Sequence, residues 1–157
     1  MERGIFLLAS GIYIAVLLRL ALEDVRTGYL PDRWVLPLGA SGVLLSAAGV
    51  SVPPAEALAG LSFGGGAFWV VRRLSRGGMG GGDVKLAAAI GAWTGWPGVL
   101  PALFLAFLLG SLVALVLLGR GRSRRAALPF GPFLAAGGSV GMLYGAQIVR
   151  WYLEAFL

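Results

Sequence analysis

Chemistry in this chain can start from Met79-Gly80-Gly81-Gly82-Asp83-Val84-Lys85, which runs straight into the apolar stretch Leu86 to Trp93. A carboxylate here stands at the doorway of a membrane segment. Ionisable groups in such places are costly and are functional candidates by default. The glycines supply backbone freedom and close approach, which suits a loop presenting an extended chain to an acid. Taken alone, Asp83 also reads as the N-cap of a helix starting at Val84. A second aspartate, Asp24, occupies a similar place after the first apolar run, and it shifts the reading toward chemistry. The chain has no cysteine and no histidine. Disulfides, iron–sulfur sites, thiol nucleophiles and histidine triads are therefore excluded, and a metal held by carboxylates alone is not expected. Two aspartates sharing one proton can still act together. One draws a proton from water while the other protonates a carbonyl oxygen, and like-charge repulsion keeps one of them protonated. Such a pair hydrolyses a peptide without a covalent intermediate or a cofactor. It titrates as a unit, so acid and base are not assigned from sequence.

The elements that must position these acids are membrane helices. The 157 residues are 58% hydrophobic and 13% charged, with a mean hydropathy of +0.85. A soluble chain carries about 25% charged residues. The expected fold is an all-α integral membrane protein: a bundle of six transmembrane helices forming one membrane-embedded domain over residues 1–157, with no soluble domain. The spans read as Gly4 to Leu22, Trp34 to Val50, Ala55 to Val71, Val84 to Trp96, Val99 to Leu118, and Leu128 to Val149. The fourth is short, with Trp93 and Trp96 suited to its far interface. The first run is followed by charged residues and not by a small-residue cleavage site, so no cleavable signal peptide is expected.

Orientation follows the positive charges. Arg19, Arg26 and Arg33 cluster at the first loop, Arg72, Arg73, Arg76 and Lys85 at the third, and Arg120, Arg122, Arg124 and Arg125 at the fifth, leaving Arg3 and Arg150 for the other side. The odd-numbered loops are then cytoplasmic and both termini face out. Asp24 and Asp83 fall at one level, each at the inner end of a helix. The net charge of +6 is thus a topology signal, and no nucleic-acid partner is expected. Gly60 and Gly64, and Gly137, Gly141 and Gly145, recur at a spacing of four and read as helix-packing faces.

Three blocks carry a resemblance to a known family. Gly80-Gly81-Gly82-Asp83 fits the GxGD signature of intramembrane aspartyl proteases, and the longer stretch to Leu86 resembles prepilin peptidases (type IV leader peptidases). Asp24-Val-Arg26-Thr-Gly-Tyr-Leu30-Pro31-Asp32 is similar to that family's D-x-R-x-x-x-[IL]-P-[ND] segment, and Leu128-Pro129-Phe130-Gly131-Pro132-Phe133-Leu134-Ala135 to its PFGPFL stretch. The resemblance implies an aspartic endopeptidase that removes the short basic leader from prepilin-like proteins at the cytoplasmic face of the inner membrane. Asp24 and Asp83 would be the catalytic pair, with Gly80 and Gly82 shaping the backbone around Asp83. Lys85 either steadies the site's charge or faces lipid headgroups. Arg26 either pairs with Asp24 or Glu23 or is a solvated interfacial arginine. Pro129 to Pro132 breaks the helix start and helps close the site.

The partners implied are a prepilin or pseudopilin peptide and membrane lipid, with homo-oligomerisation left open. The long bacterial form of the family has an extra domain with paired CxxC motifs linked to N-methylation, so methyltransferase activity does not carry over to a chain without cysteine. The compact plan looks more like the short peptidases serving Flp/Tad-type pili, or the archaeal preflagellin peptidases. Three other readings compete. One is a GxGD-type protease acting on preflagellin or a signal peptide, and another is a non-catalytic pilus-assembly scaffold. A proton-coupled carrier is disfavoured because both acids lie at one membrane end and not near the midplane.

Overall fold

The computed structural model of the protein describes residues 2–75, 78–121 and 128–156. Among the described residues, six helices make up the regular structure: α1 (Glu2–Thr27), α2 (Asp32–Ala47), α3 (Pro54–Leu74), α4 (Gly81–Thr94), α5 (Val99–Gly119) and α6 (Gly131–Phe156). Their number and order match the six apolar runs. By length and composition, three of them are apolar enough to cross a membrane: Gly4–Thr27 of α1, α5 and α6, with mean hydropathies of 2.3, 2.7 and 1.2. Leu7, Leu8, Ile12 and Leu18 of α1 and Phe104, Leu112 and Leu115 of α5 point outward, as lipid-facing side chains would. The loop arginines Arg76, Arg122, Arg124 and Arg125, on which part of the orientation argument rests, lie outside the described residues.

Turn residues set the helix boundaries. Gly28 takes a left-handed φ of 66°, and its N–H donates to the carbonyl of Asp24 at 2.8 Å. This is a glycine C-cap. The helix α1 therefore runs on through Glu23, Asp24 and Arg26, and Asp24 sits in its last turn, beyond the expected end of the span at Leu22. Hydropathy falls at Glu23, but the backbone ladder continues until a residue can leave it. Pro31 in extended backbone then opens α2, and Pro54 stands in the first turn of α3, where its missing N–H leaves no hydrogen bond unmade.

The short helix α4 is the centre of the bundle, packed by α2, α3, α5 and α6. It is buried from Leu86 through Thr94 except for Ala88. Burial on all sides explains why its sequence shows no amphipathic stripe. Trp93 is therefore core and not an interface anchor. Its ring is buried against Tyr13 at a centroid distance of 4.8 Å, and its Nε1–H donates to the Leu38 carbonyl at 2.7 Å. Trp96, by contrast, is exposed.

The glycine faces do pack. A Cβ on Gly60 would collide with the Gly91 carbonyl, one on Gly64 with the Ala87 carbonyl, and one on Gly137 with the Ala102 carbonyl. These are backbone-to-backbone approaches that only glycine permits. The helix α6 starts at Gly131, three residues later than expected, because Phe130 serves as its cap: the Phe130 carbonyl accepts from Phe133 and Leu134, both at 3.1 Å. It also continues past Arg150 and Trp151 to Phe156.

Candidate active site

Asp24 and Asp83 come from helices that do not pack backbone to backbone; α2 and α6 touch both and bridge them. The two side chains nonetheless line one cleft of about 220 Å³, together with Gly28, Tyr29 and Leu30, Asp32, Gly80 to Gly82, and Lys85. Both residues are nearly out of solvent, 5% and 9% exposed. Buried acids of this kind are stable only with hydrogen-bond donors or a proton. Each has one backbone donor, and each donor is a glycine.

Asp24 Oδ2 accepts the Gly131 N–H at 2.7 Å. Gly131 is the first residue of α6, so the bond comes from a helix N-terminus, where N–H groups lack partners and the dipole favours negative charge. The preceding Phe130 anchors this turn. Its ring packs among Phe68, Phe107 and Phe133 at centroid distances of 5.6–5.8 Å, in a space that a Cβ on Gly110 would intrude upon at 2.6 Å.

Asp83 Oδ2 accepts the Gly80 N–H at 3.1 Å. Because α4 begins at Gly81, Asp83 is the third helical residue and not the cap. It reaches back to the N-cap N–H as the acidic half of a capping box does. The two roles weighed for it in the sequence are thus compatible, since one carboxylate oxygen is engaged locally. Asp83 precedes the apolar part of α4 and stands outside the three membrane-length helices. Burial, and then the charge of Asp24, push its carboxyl up to about 6, against the lowering effect of the Gly80 N–H. The charge of Asp24 thus bears on Asp83, and like-charge repulsion of this kind lets a pair keep one proton above the usual carboxylate range.

Of the other sequence candidates, Gly80, Gly82 and Lys85 reach the cleft. Gly82 is pressed on by Leu30, whose Cβ would stand 2.7 Å from a Cβ there. Lys85 places Nζ 2.8 and 2.7 Å from the two carboxylate oxygens of Asp32, turning to α2 instead of to the aspartate pair. Arg26 is exposed and does not line the cleft. Neighbouring Glu23 is bound instead by Arg33 at 3.2 Å. Two contributors were missed: the Gly131 N–H and Asp32. The residues themselves were visible, Gly131 inside the third block and Asp32 ending the first, but a backbone donor and a cross-helix partner carry no mark in sequence. Among the described residues, no group of three carboxylates is arranged to hold a metal ion.

The model of the type IV leader peptidase family matches residues 11–115 of the chain. The prepilin leader peptidase/N-methyltransferase of Aeromonas salmonicida is 38% identical over 157 residues, covering 96% of this chain and 54% of that protein. Proteins of the same name from Burkholderia pseudomallei and Pseudomonas aeruginosa are 40% and 37% identical, covering 90% and 88% of this chain and 48% and 50% of theirs. The chain thus spans about half the length of the curated relatives it matches. No solved structure gives a significant match. With the matched region spanning α1 to α5, and so both aspartates, the chain belongs to the type IV leader peptidase family.

Proposed function

We propose that this protein is an aspartic endopeptidase that cleaves the basic leader from prepilin-like proteins, with Asp24 and Asp83 as its catalytic pair. The observation that carries the reading is the convergence of these two buried carboxylates, from separate helices, on one open cleft. A pair sharing one proton has both functions that hydrolysis needs. The ionised aspartate takes a proton from water as its oxygen attacks the scissile carbonyl carbon. The protonated aspartate gives its proton to the carbonyl oxygen. When the resulting diol collapses, the C–N bond breaks, the amine leaves with a proton from the first acid, and the second carboxylate recovers its own from the diol. The Gly80 and Gly131 N–H groups hold one oxygen of each carboxylate throughout, leaving the other for water and substrate.

The glycine-walled side of the cleft, Gly80 to Gly82, suits an extended peptide, because no side chain stands between backbone and substrate. In the membrane, the reading is a single peptidase domain of six spans, with termini outside and the cleft at the cytoplasmic surface of the inner membrane. The clustering of Arg19, Arg26, Arg33, Arg72 and Arg73 beside the loops that carry the cleft supports this orientation. Substrate and surrounding lipid are the partners proposed. Methyl transfer, the second activity in the relatives' names, is not part of the proposal.

The test is leader cleavage in liposomes. A prepilin-like substrate with a basic leader and a Gly-Phe junction is incubated with wild type, Asp24→Asn and Asp83→Asn. Asparagine keeps size and hydrogen bonding but cannot exchange the proton. Cleavage by wild type alone, with both variants folded, supports the pair. Full activity in either variant refutes it, and an inactive wild type favours the scaffold reading.

A further inference from the structure

We propose that Asp32 and Lys85 form a positioning pair that sets where Asp83 stands relative to Asp24, an inference that rests on the catalytic reading of those two aspartates. The reason is architectural. Since α1 and α4 do not pack backbone to backbone, and meet through the Tyr13 and Trp93 rings well along each helix from the acids, the separation of the two acids is set through the helices that bridge them. On the α6 side the link is the Gly131 N–H on Asp24. On the α2 side it is Lys85, two residues beyond Asp83, whose ammonium grips both oxygens of Asp32.

Asp32 is the first residue of α2. It directly follows Leu30 and Pro31, and buried Leu30 is the residue pressed against Gly82. The first turn of α4 is thus tied to the α1–α2 connection at two points, one apolar at Gly82 and one ionic at Lys85, on either side of Asp83. A carboxylate held between two such ties cannot slide along the cleft.

The pair is not there for stability. Its side chains are 46% and 44% exposed, and exposed ion pairs contribute little to folding stability. Its second effect is on charge. Asp32 is a third carboxylate lining the cleft, and Lys85 neutralises it, so that the aspartate pair is not read against an uncompensated neighbour.

The experiment uses the full chain in liposomes and measures kcat, KM and thermal unfolding for Lys85→Met, Asp32→Asn, Lys85→Arg and the reversed pair Asp32→Lys/Lys85→Asp. Arg33→Gln, which removes the ion pair of an exposed arginine of the same helix turn with half-buried Glu23, away from the cleft, is the control. A small displacement of a reacting group lowers rate roughly 10- to 100-fold. The expected result is a kcat loss of that size in Lys85→Met and Asp32→Asn, with KM within about twofold. Lys85→Arg should keep most of the activity and the reversed pair should regain part of it, while Arg33→Gln should match wild type. Wild-type kcat in Lys85→Met beside inert Asp24→Asn and Asp83→Asn controls sinks this pair and leaves the catalytic reading standing. A rise in KM with kcat unchanged also overturns it, because the pair would then be binding substrate. So does a kcat loss that follows only the loss of folded protein and that Lys85→Arg does not rescue. If the aspartate controls themselves cleave, the catalytic reading fails and this pair falls with it.

Discussion

Replacing Gly131 by alanine should disable the site while leaving the fold largely intact. A Cβ at this position would stand 2.8 Å from Asp24 Oδ2, 2.9 Å from its Cβ and 3.0 Å from its Cγ. Real side chains do not pack this closely, so one partner must move. Asp24 has little room, being 5% exposed in the last turn of α1 with its own carbonyl held by Gly28. What yields is the 2.7 Å bond from the Gly131 N–H. A hydrogen bond to a charged group contributes about 1.5–3 kcal/mol, and each 1.4 kcal/mol or so of lost transition-state stabilisation is about tenfold in rate. The expected loss in kcat is therefore roughly 10- to 100-fold. The assay is leader cleavage in liposomes, with kcat and KM measured beside thermal unfolding. Gly66→Ala is the control, since an added Cβ there meets nothing within 4 Å. Wild-type kcat in a folded Gly131→Ala protein would refute the reasoning, and so would an equal loss in the Gly66 variant.

Two further outcomes follow from the same geometry. The Asp83 carboxyl, raised from 3.8 to about 6 by burial and by Asp24, keeps a proton in the folded state that the unfolded chain releases. Across that window the folded protein binds more protons, so stability falls as pH rises from about 4 to about 6. Unfolding midpoints against pH should show this slope in wild type and a flatter one in Asp83→Asn; identical slopes would contradict it. Under the catalytic reading the shared proton is lost above that range, so kcat/KM should decline as pH rises beyond about 6. Trp93→Phe removes the 2.7 Å bond to Leu38 but leaves that carbonyl its Ser41 hydroxyl donor at 2.8 Å. It should cost about 1 kcal/mol in chemical denaturation with kcat unchanged, whereas an interfacial Trp93 would cost nothing.

Apolar runs broken by proline and glycine made the six helices and their order readable, and Asp24 and Asp83, expected at one level from the charge pattern, line one cleft. Three features stayed hidden for separate physical reasons. Hydropathy tracks solvent preference and not the backbone ladder, so the first span reads as ending at Leu22 although its hydrogen bonds run on to Gly28. A tryptophan near the end of an apolar run resembles an interface anchor, but burial of α4 on nearly every side puts Trp93 inside. The third feature concerns the glycines around the acids, which read as sources of flexibility. Gly80 has an ordinary extended backbone, with φ −69°, and none of Gly80, Gly81, Gly82 and Gly131 has a positive φ. What glycine provides here is proximity. A Cβ would meet Asp83 at 3.3 Å on Gly80, Leu30 at 2.7 Å on Gly82 and Asp24 at 2.8 Å on Gly131. Both carboxylates are held by N–H groups that any non-proline residue possesses, but only a residue without a side chain brings its N–H that close to a buried Asp24. The donor is generic and the access is specific, so glycine marks the site in sequence while its partner, 107 residues away in the case of Gly131 and Asp24, is supplied only by the fold.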